Sequence, residues 1–268
     1  MTQTLRLSLG MFTILPVAPR GEFRPTPRQI RGMILLAPLV GLLIGLALAA
    51  ALFLIREGAK WLHGGTEHVP GNSLAALLTI GLLVLITGGL HLDGLADTVD
   101  AMACHKDRAG ALQVMRRSDV GPLGVVAVVM VLLIQVLALA VALDYGHGAV
   151  AIVTAVVAGR LAAVWACRLP AARPDGQGSW VARSTNAVQA TIVTILSLLI
   201  PLGLMFVNHD PSRISLILAL AAIPAGLIVT GLLQRWWAHR FGGITGDTIG
   251  AGVEVCTAVT LIVIALAP

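Results

Sequence analysis

Charged side chains are scarce in this chain: Asp, Glu, Lys and Arg make up 12% of its 268 residues, against 57% hydrophobic residues. Soluble globular domains carry about 25% charged residues, so the composition excludes an ordinary soluble protein. Cysteine is scarce as well. Cys104, Cys167 and Cys256 show no CxxC or Cys/His spacing, so the sequence favours neither a zinc site nor a disulfide framework.

Strict alternation of apolar and polar residues is also missing, which excludes a membrane β-barrel. The chain instead contains seven long apolar runs, and helices are then the structures that satisfy the backbone in lipid. The sequence therefore predicts an all-α, polytopic membrane helical bundle of about seven transmembrane helices, forming a single domain over residues 1–268. The predicted spans are 33–55, 73–90, 121–143, 149–167, 187–207, 214–233 and 249–267.

The basic residues predict the orientation of this bundle. Fourteen of the 18 Lys and Arg residues fall before the first predicted span or in the loops after spans two, four and six. The positive-inside rule places those segments in the cytoplasm, which predicts a multi-pass protein of the cell inner membrane with a cytoplasmic N-terminus. The net charge of +5 largely expresses this distribution, so it does not indicate nucleic acid binding.

A cluster of acids stands at the end of the second predicted span. Residues 87–100 read TGGLHLDGLADTVD, and Asp93, Asp97 and Asp100 are spaced i, i+4 and i+7. On a helix these positions fall within roughly 60° of one face. Three carboxylates on one face repel each other unless a cation lies between them, and oxygen ligands of this kind suit Mg²⁺.

A second segment repeats this arrangement. Residues 242–254 read GGITGDTIGAGVE, in which a Thr-Gly turn precedes Asp247, and Glu254 follows seven residues later. Glu254 lies about 10 Å further along a helix, inside the seventh predicted span. A carboxylate there requires a metal, a basic partner, a proton or a polar cavity.

Several basic and small residues are candidates for binding phosphate. Arg160 lies within the fourth predicted span, where it either holds a phosphate or forms a structural ion pair. Arg116 and Arg117 precede the glycines that open the third span, a plausible phosphate cradle, although both also fit the positive-inside rule. Gly246 lies in the second Thr-Gly turn. His91 is either a base, a substrate contact or a local cap.

Composition and the combined pattern of these residues support two further predictions. The Gly-Gln-Gly-Ser stretch at 176–179 has the composition of a flexible linker. Acid clusters on one membrane face, with arginines and glycine turns nearby, favour metal-assisted phosphoryl chemistry.

At these residues the chain resembles the cobalamin synthase (adenosylcobinamide-GDP ribazoletransferase) family. The strongest match is residues 87–98, TGGLHLDGLADT, and the second is 243–251, GITGDTIGA, followed by Glu254. One departure concerns residues 115–119. Many family members read Met-Arg-Asp-Ser-Arg there, whereas this chain reads MRRSD, with acid and base exchanged around Ser118.

The resemblance implies a Mg²⁺-dependent membrane transferase that completes the nucleotide loop of vitamin B12. The substrates would be adenosylcobinamide-GDP and α-ribazole or α-ribazole 5′-phosphate, and GMP would be released. Asp93, Asp97 and Asp247 are then the first candidates for metal ligands, with Asp100 and Glu254 as further ligands or acid–base groups. The lipid bilayer is a further expected partner, and a homo-oligomer remains open.

Two alternative functions are also compatible with parts of the sequence. Intramembrane Asp, Glu and Arg also mark ion paths in secondary transporters, but the acids gather near one membrane face and the chain shows no convincing internal repeat. A CDP-alcohol phosphotransferase would also use aspartates on membrane helices. Its Asp-Gly-x-x-Ala-Arg string is interrupted here, because Asp97 follows Ala96.

Overall fold

A computed structural model describes residues 3–17, 25–62, 71–117, 119–207 and 213–267. These residues form helices and no named strand, which confirms the predicted all-α class. Twelve helices are described: α1 (Gln3–Phe12), α2 (Pro27–Leu35), α3 (Ala37–Leu62), α4 (Asn72–Thr87), α5 (Leu90–Ala103), α6 (Arg108–Val114), α7 (Pro122–Asp144), α8 (Gly148–Ala166), α9 (Gln177–Val181), α10 (Ala187–Val207), α11 (Arg213–Phe241) and α12 (Gly246–Ala265).

Six helices of the described chain are long and apolar enough to cross a membrane, and a seventh span results if the bent pair α4 and α5 is counted as one. This agrees with the prediction of about seven spans, and the protein is a multi-pass membrane protein. The central members are α8 and α12, whose surfaces are mostly buried, whereas α7, α10 and α11 expose broad apolar faces. In a bilayer those faces contact lipid.

The second predicted span, 73–90, is interrupted. Helix α4 ends at Thr87, and the next helix leaves at 88° after only two residues. Gly88 and Gly89 make this turn, with φ angles of +63° and +68°. Residues with a Cβ rarely adopt this left-handed conformation, so two consecutive glycines permit a bend that hydropathy alone does not reveal.

Two other boundaries changed in ways that matter for the site. The seventh span was predicted to begin at residue 249, but α12 begins at Gly246 because Thr245 and Thr248 form a capping box. Asp247 therefore lies in the first turn of α12. The linker predicted at 176–179 was wrong: Gln177–Val181 is the short helix α9, and Gly178 is buried.

Candidate active site where α5 crosses α12

Helix α5 crosses the first turns of α12 at very short range. A Cβ placed on Gly94 would lie 2.7 Å from the carbonyl oxygen of Asp247 and 2.9 Å from its Cα. On the facing helix, a Cβ on Gly250 would lie 3.2 Å from the Cα of His91. Glycine at these positions lets the two backbones approach closely. The two acidic segments identified in the sequence are thereby brought together.

The carboxylates of this crossing act on one another. Asp97 is half-buried, and the neighbouring charges that repel its carboxylate are those of Asp93, Asp247 and Asp100. Asp93 is exposed at the rim of the crossing. Asp93 and Asp247 also line one small cavity, of about 50 Å³, with His91 and Gln177. Its volume suits an ion or water molecules rather than a whole nucleotide.

The prediction of a shared face for the three aspartates of α5 holds only in part, because Asp100 has a different neighbour. Its two carboxylate oxygens accept hydrogen bonds from the backbone N–H groups of Gly121 and Gly124, at 2.6 Å and 2.8 Å. These amides form the first turn of α7, whose own N-cap residue provides no side-chain acceptor. Asp100 therefore caps α7 from the neighbouring helix, as an aspartate on the chain itself would.

Arg173 completes the crossing, and sequence reasoning missed it among the other loop arginines. Its Nη2 lies 3.8 Å from Oδ2 of Asp247, and both side chains are largely shielded from solvent. Neither that oxygen nor Nη1 of Arg173 has a hydrogen-bond partner within the described residues. Two facing groups with unused hydrogen-bonding capacity are the arrangement expected of a site that awaits a ligand.

A backbone clip explains how a loop arginine comes to face Asp247. The N–H of Ala172 donates to the carbonyl of Ile244, and the N–H of Ile244 donates to the carbonyl of Pro170. This bridge fastens the loop after α8 to the loop before α12. Arg108 adds a hydrogen bond of 2.8 Å to the carbonyl of Ala172. Contacts between distant segments therefore determine the position of Arg173, and no local sequence motif indicates it.

Deeper in the bundle than these carboxylates lies a buried cluster of three polar side chains, those of Glu254, Gln135 and Arg160. Glu254 accepts a hydrogen bond of 2.8 Å from Nε2 of Gln135 on α7 and is electrostatically coupled to Arg160 on α8. The Arg160 side chain is only 1% exposed, and its Nε and Nη2 find no hydrogen-bond partner in the described chain. Glu254 thus has the polar and basic neighbours that its position required.

His91 lies next to both the carboxylates of the crossing and the buried cluster that contains Arg160. It is 4% exposed, its ring packs 6.0 Å from that of Phe12, and its Nδ1 is buried without a hydrogen-bond partner among the described residues. It lines the cavity beside Asp93 and Asp247, and the positive charge of Arg160 acts on it electrostatically. Its position fits an orienting or proton-handling role, but a solvent-exposed base would have to lie elsewhere.

The predicted phosphate contacts Arg116 and Arg117 form ion pairs at the surface. Arg116 pairs with Asp175 and Arg117 with Asp119, and all four side chains are more than half exposed. Neither arginine lines the cavity of Asp93 and Asp247. Gly246, by contrast, does line it, next to Gln177 of α9.

A Mg²⁺ ion is the cofactor that these residues suggest, and the donor set suits it. Asp93, Asp97 and Asp247 provide hard oxygen ligands, and Oδ2 of Asp247 is buried without a donor. The described residues contain no group of three or more His, Cys, Asp or Glu close enough to hold one ion. Mg²⁺ characteristically takes one or two carboxylates and completes its shell with water and substrate phosphate, so two facing carboxylates suffice.

Comparison with known proteins agrees with this chemistry. A family model described as cobalamin-5-phosphate synthase matches residues 4–265. A protein of Frankia casuarinae named adenosylcobinamide-GDP ribazoletransferase is 37% identical over 95% of this chain and 92% of its own length. Proteins of the same name from Nocardioides sp. and Thermosynechococcus vestitus are 36% and 33% identical, over 98% and 95% of this chain and 98% and 93% of their own lengths.

No solved structure matches the chain significantly. The family match runs through both acidic segments and supports neither the transporter hypothesis nor the CDP-alcohol phosphotransferase hypothesis. From the first helix to the last, the chain belongs to the cobalamin-5-phosphate synthase family.

Proposed function

We propose that the protein joins adenosylcobinamide-GDP to α-ribazole, or to its 5′-phosphate, giving adenosylcobalamin or its 5′-phosphate and GMP. A ribazole hydroxyl oxygen forms the new bond to the phosphorus that carries cobinamide. The bond from that phosphorus to the bridging oxygen of the pyrophosphate breaks, the hydroxyl proton is lost, and GMP leaves. The observation that carries this proposal is the α5–α12 crossing, which gathers Asp93, Asp97 and Asp247 from two distant segments.

Two facing carboxylates, from Asp93 or Asp97 on α5 and from Asp247 on α12, would hold Mg²⁺ at this crossing, and water and substrate phosphate would complete its shell. When bound, the ion would neutralise phosphate oxygens and the charge that develops on the departing GMP. The facing glycines Gly94 and Gly250 fix the separation of the two helices that supply these ligands. Glu254 lies deeper, already bonded to Gln135, so a supporting role fits it better than direct coordination.

Arg173 is the arginine best placed to contact a substrate phosphate. Its 3.8 Å separation from Asp247 is long for an ion pair, and its Nη1 has no acceptor in the described part of the chain. A guanidinium group binds phosphate through paired N–H donors, so both nitrogens would gain acceptors on binding. Arg160 lies too deep to meet the same phosphate and is better explained as the counter-charge of Glu254.

The orientation follows from the charge distribution. The segments that carry Arg108, Arg173 and Arg240 converge on the end of the bundle where α12 begins. The positive-inside rule assigns this end to the cytoplasm, where nucleotide-linked substrates are available. The active site would then open at the cytoplasmic face of the inner membrane.

Replacing Asp247 with Asn tests the assignment directly. We expect GMP release from adenosylcobinamide-GDP and α-ribazole 5′-phosphate to fall at least about 100-fold in the purified, reconstituted enzyme, because charge stabilisation of this kind is worth that much. Asp93→Asn should behave alike, and raising Mg²⁺ should rescue part of the loss. Asp144→Asn is the matched control. Asp144 lies at the other end of α7, and Asn keeps the oxygen that accepts from Asn72. Near-normal turnover by Asp93→Asn would overturn its role as a ligand.

A further inference from the structure

A wide groove separate from the cavity of the acidic crossing lies on the bundle. It runs between α8, α10 and α11, has a volume of about 750 Å³, and shares no lining residue with the cavity of Asp93 and Asp247. Its walls combine apolar side chains, including Trp165, Leu227 and Ile228, with Arg168 and Arg235. Nothing in the proposed transfer reaction uses this groove.

The groove opens towards the lipid. The two helices that frame it expose Val188, Ile192 and Ile195 on α10 and Ile228 and Leu232 on α11. Exposed apolar residues of this kind lie against acyl chains in a membrane protein. Along α11 the groove extends from Arg235 back to Pro224, which is about 16 Å at 1.5 Å per residue. That length accommodates much of one acyl chain in a bilayer leaflet of about 15 Å.

Positive charge gathers at one end of the groove. Arg168 follows the last turn of α8 and its guanidinium stacks on Trp165 at 4.7 Å, and Arg235 lies in the last turns of α11. Within the described residues neither arginine forms an ion pair or a hydrogen bond with another side chain. A tryptophan and arginines at the level of the membrane interface are the groups that bind lipid headgroups.

Gln234 adds a polar contact at the same level. It is 4% exposed and lines the groove, and its Oε1 is buried without a hydrogen-bond partner in the described chain. Its Nε2 donates to the carbonyl of Thr248, the residue after Asp247. A hydroxyl group of a glycerol headgroup would supply the donor that Oε1 lacks, whereas the choline headgroup has no N–H or O–H to offer.

We propose that this groove is a binding site for one anionic phospholipid with a glycerol headgroup. The phosphate lies between Arg168 and Arg235, a headgroup hydroxyl meets Gln234, and one acyl chain follows α11 towards Pro224. Because Gln234 also bonds to the first turn of α12, the lipid would brace the helix that carries Asp247. This proposal does not rest on the proposed reaction and is tested by binding alone.

The test uses delipidated, purified protein equilibrated with mixed micelles of phosphatidylglycerol and phosphatidylcholine in equal amounts. Lipid bound per protein is counted by native mass spectrometry. We expect one phosphatidylglycerol per chain, preferred over phosphatidylcholine by about fivefold for each arginine that contacts it. Arg168→Gln and Arg235→Gln should each remove about one such factor. Arg28→Gln, at an exposed arginine of α2, is the matched control and should leave the preference unchanged.

Three results would overturn the proposal. One is equal binding of the two lipids, and another is a preference that Arg28→Gln weakens as much as Arg168→Gln does, which would indicate general surface charge. The third is displacement of the bound phosphatidylglycerol by α-ribazole 5′-phosphate, which would assign the groove to substrate. A folding defect in the variants is recognised by their gel-filtration profile. In that case the preference of the wild-type protein for phosphatidylglycerol and the displacement experiment with α-ribazole 5′-phosphate still test the proposal.

Discussion

The two acidic segments, 87–100 and 245–254, share a pattern and use it in opposite ways. In the first, the glycines break a membrane span and turn the chain by 88°, so the acids lie on a separate helix. In the second, Thr245 caps a helix that continues without interruption into the bundle. One segment carries its carboxylates on a helix bent steeply away from the preceding span, and the other carries its second acid about 10 Å further along a helix of the bundle. The site exists where the two meet.

The difference also separates the acids proposed to bind Mg²⁺ from the acids that support the fold. Asp93 and Asp97 on α5 and Asp247 on α12 lie close enough at the crossing for their charges to act on one another. Asp100 and Glu254, each seven residues after the first acid of its segment, are bonded to α7 instead. The same spacing therefore yields one pair of acids, Asp93 and Asp247, at the proposed Mg²⁺ site and a second pair that anchors a third helix to both segments.

The largest effect on stability is expected from the buried, oppositely charged side chains of Glu254 and Arg160, which act on each other electrostatically without forming a salt bridge in the described chain. Glu254→Gln keeps an acceptor for Gln135 but leaves the buried guanidinium without its counter-charge, and Arg160→Met leaves the carboxylate alone. Each single change should destabilise the protein by at most about 3–5 kcal/mol, the cost of breaking a close buried ion pair. The double variant should recover most of that loss, as measured by denaturant unfolding in detergent micelles.

Activity of the double variant then decides what Arg160 does. If Arg160 only balances Glu254, the folded double variant should turn over at a rate near that of the wild type. If it also binds phosphate, stability should return without activity. Fully additive single effects would show that the two groups are not coupled at all.

The close crossing itself is tested by Gly94→Ala. The added Cβ has no room beside the backbone of Asp247, so α5 must shift away from α12. We expect a destabilisation of about 1–3 kcal/mol, typical of overpacking. Activity should fall more steeply than stability, since a displacement of about 1 Å at a reacting site can cost 100-fold.

Gly81→Ala is the matched control for this change. Gly81 also lies in a helix, α4, but a Cβ there would meet nothing within 4 Å. Alanine should be neutral or slightly stabilising at this position because it favours helix more than glycine does. Equal losses of activity in the two variants would mean that helix flexibility, rather than the distance between α5 and α12, governs the site.

Asp100→Asn distinguishes an anchoring acid from a ligand acid. Asn can accept one of the two hydrogen bonds from α7, but its amide group faces the other N–H. Loss of such a cap costs about 1 kcal/mol. A lowered melting temperature with Mg²⁺ dependence unchanged is the expected result. A raised Mg²⁺ requirement would instead place Asp100 among the ligands.

Much of this arrangement was accessible from the sequence, and the failures have a common physical cause. Hydropathy located the membrane helices, and the acid spacing located the segments that meet. The break at Gly88–Gly89 was missed because two glycines inside an apolar run are common in membrane helices and do not by themselves indicate a turn. Helix α9 was missed because five residues cannot form a stable helix alone, and this one depends on its packing against the start of α12.

Contacts between distant segments account for the other features that could not be predicted from the sequence. Arg173 acquired its position through a clip between residues 170–172 and Ile244, which lie more than 70 positions apart. Arg116 and Arg117 were favoured because they stand beside glycines that open a helix, a local pattern that does not specify what the side chains face. The acid partners at Asp175 and Asp119 became visible only in the folded chain.

The smallest effects are therefore expected at those two exposed arginines. Arg116→Gln and Arg117→Gln each remove one surface ion pair, worth about 0–1 kcal/mol, and neither side chain lines the cavity of Asp93 and Asp247. The KM for adenosylcobinamide-GDP should change less than about fivefold, the factor that corresponds to 1 kcal/mol. Arg173→Gln, measured in the same assay, should raise the KM clearly further. Should Arg116→Gln prove as damaging as Arg173→Gln, the segment before α7 would have to close over the substrate during the reaction, and the site would extend beyond the two segments compared above.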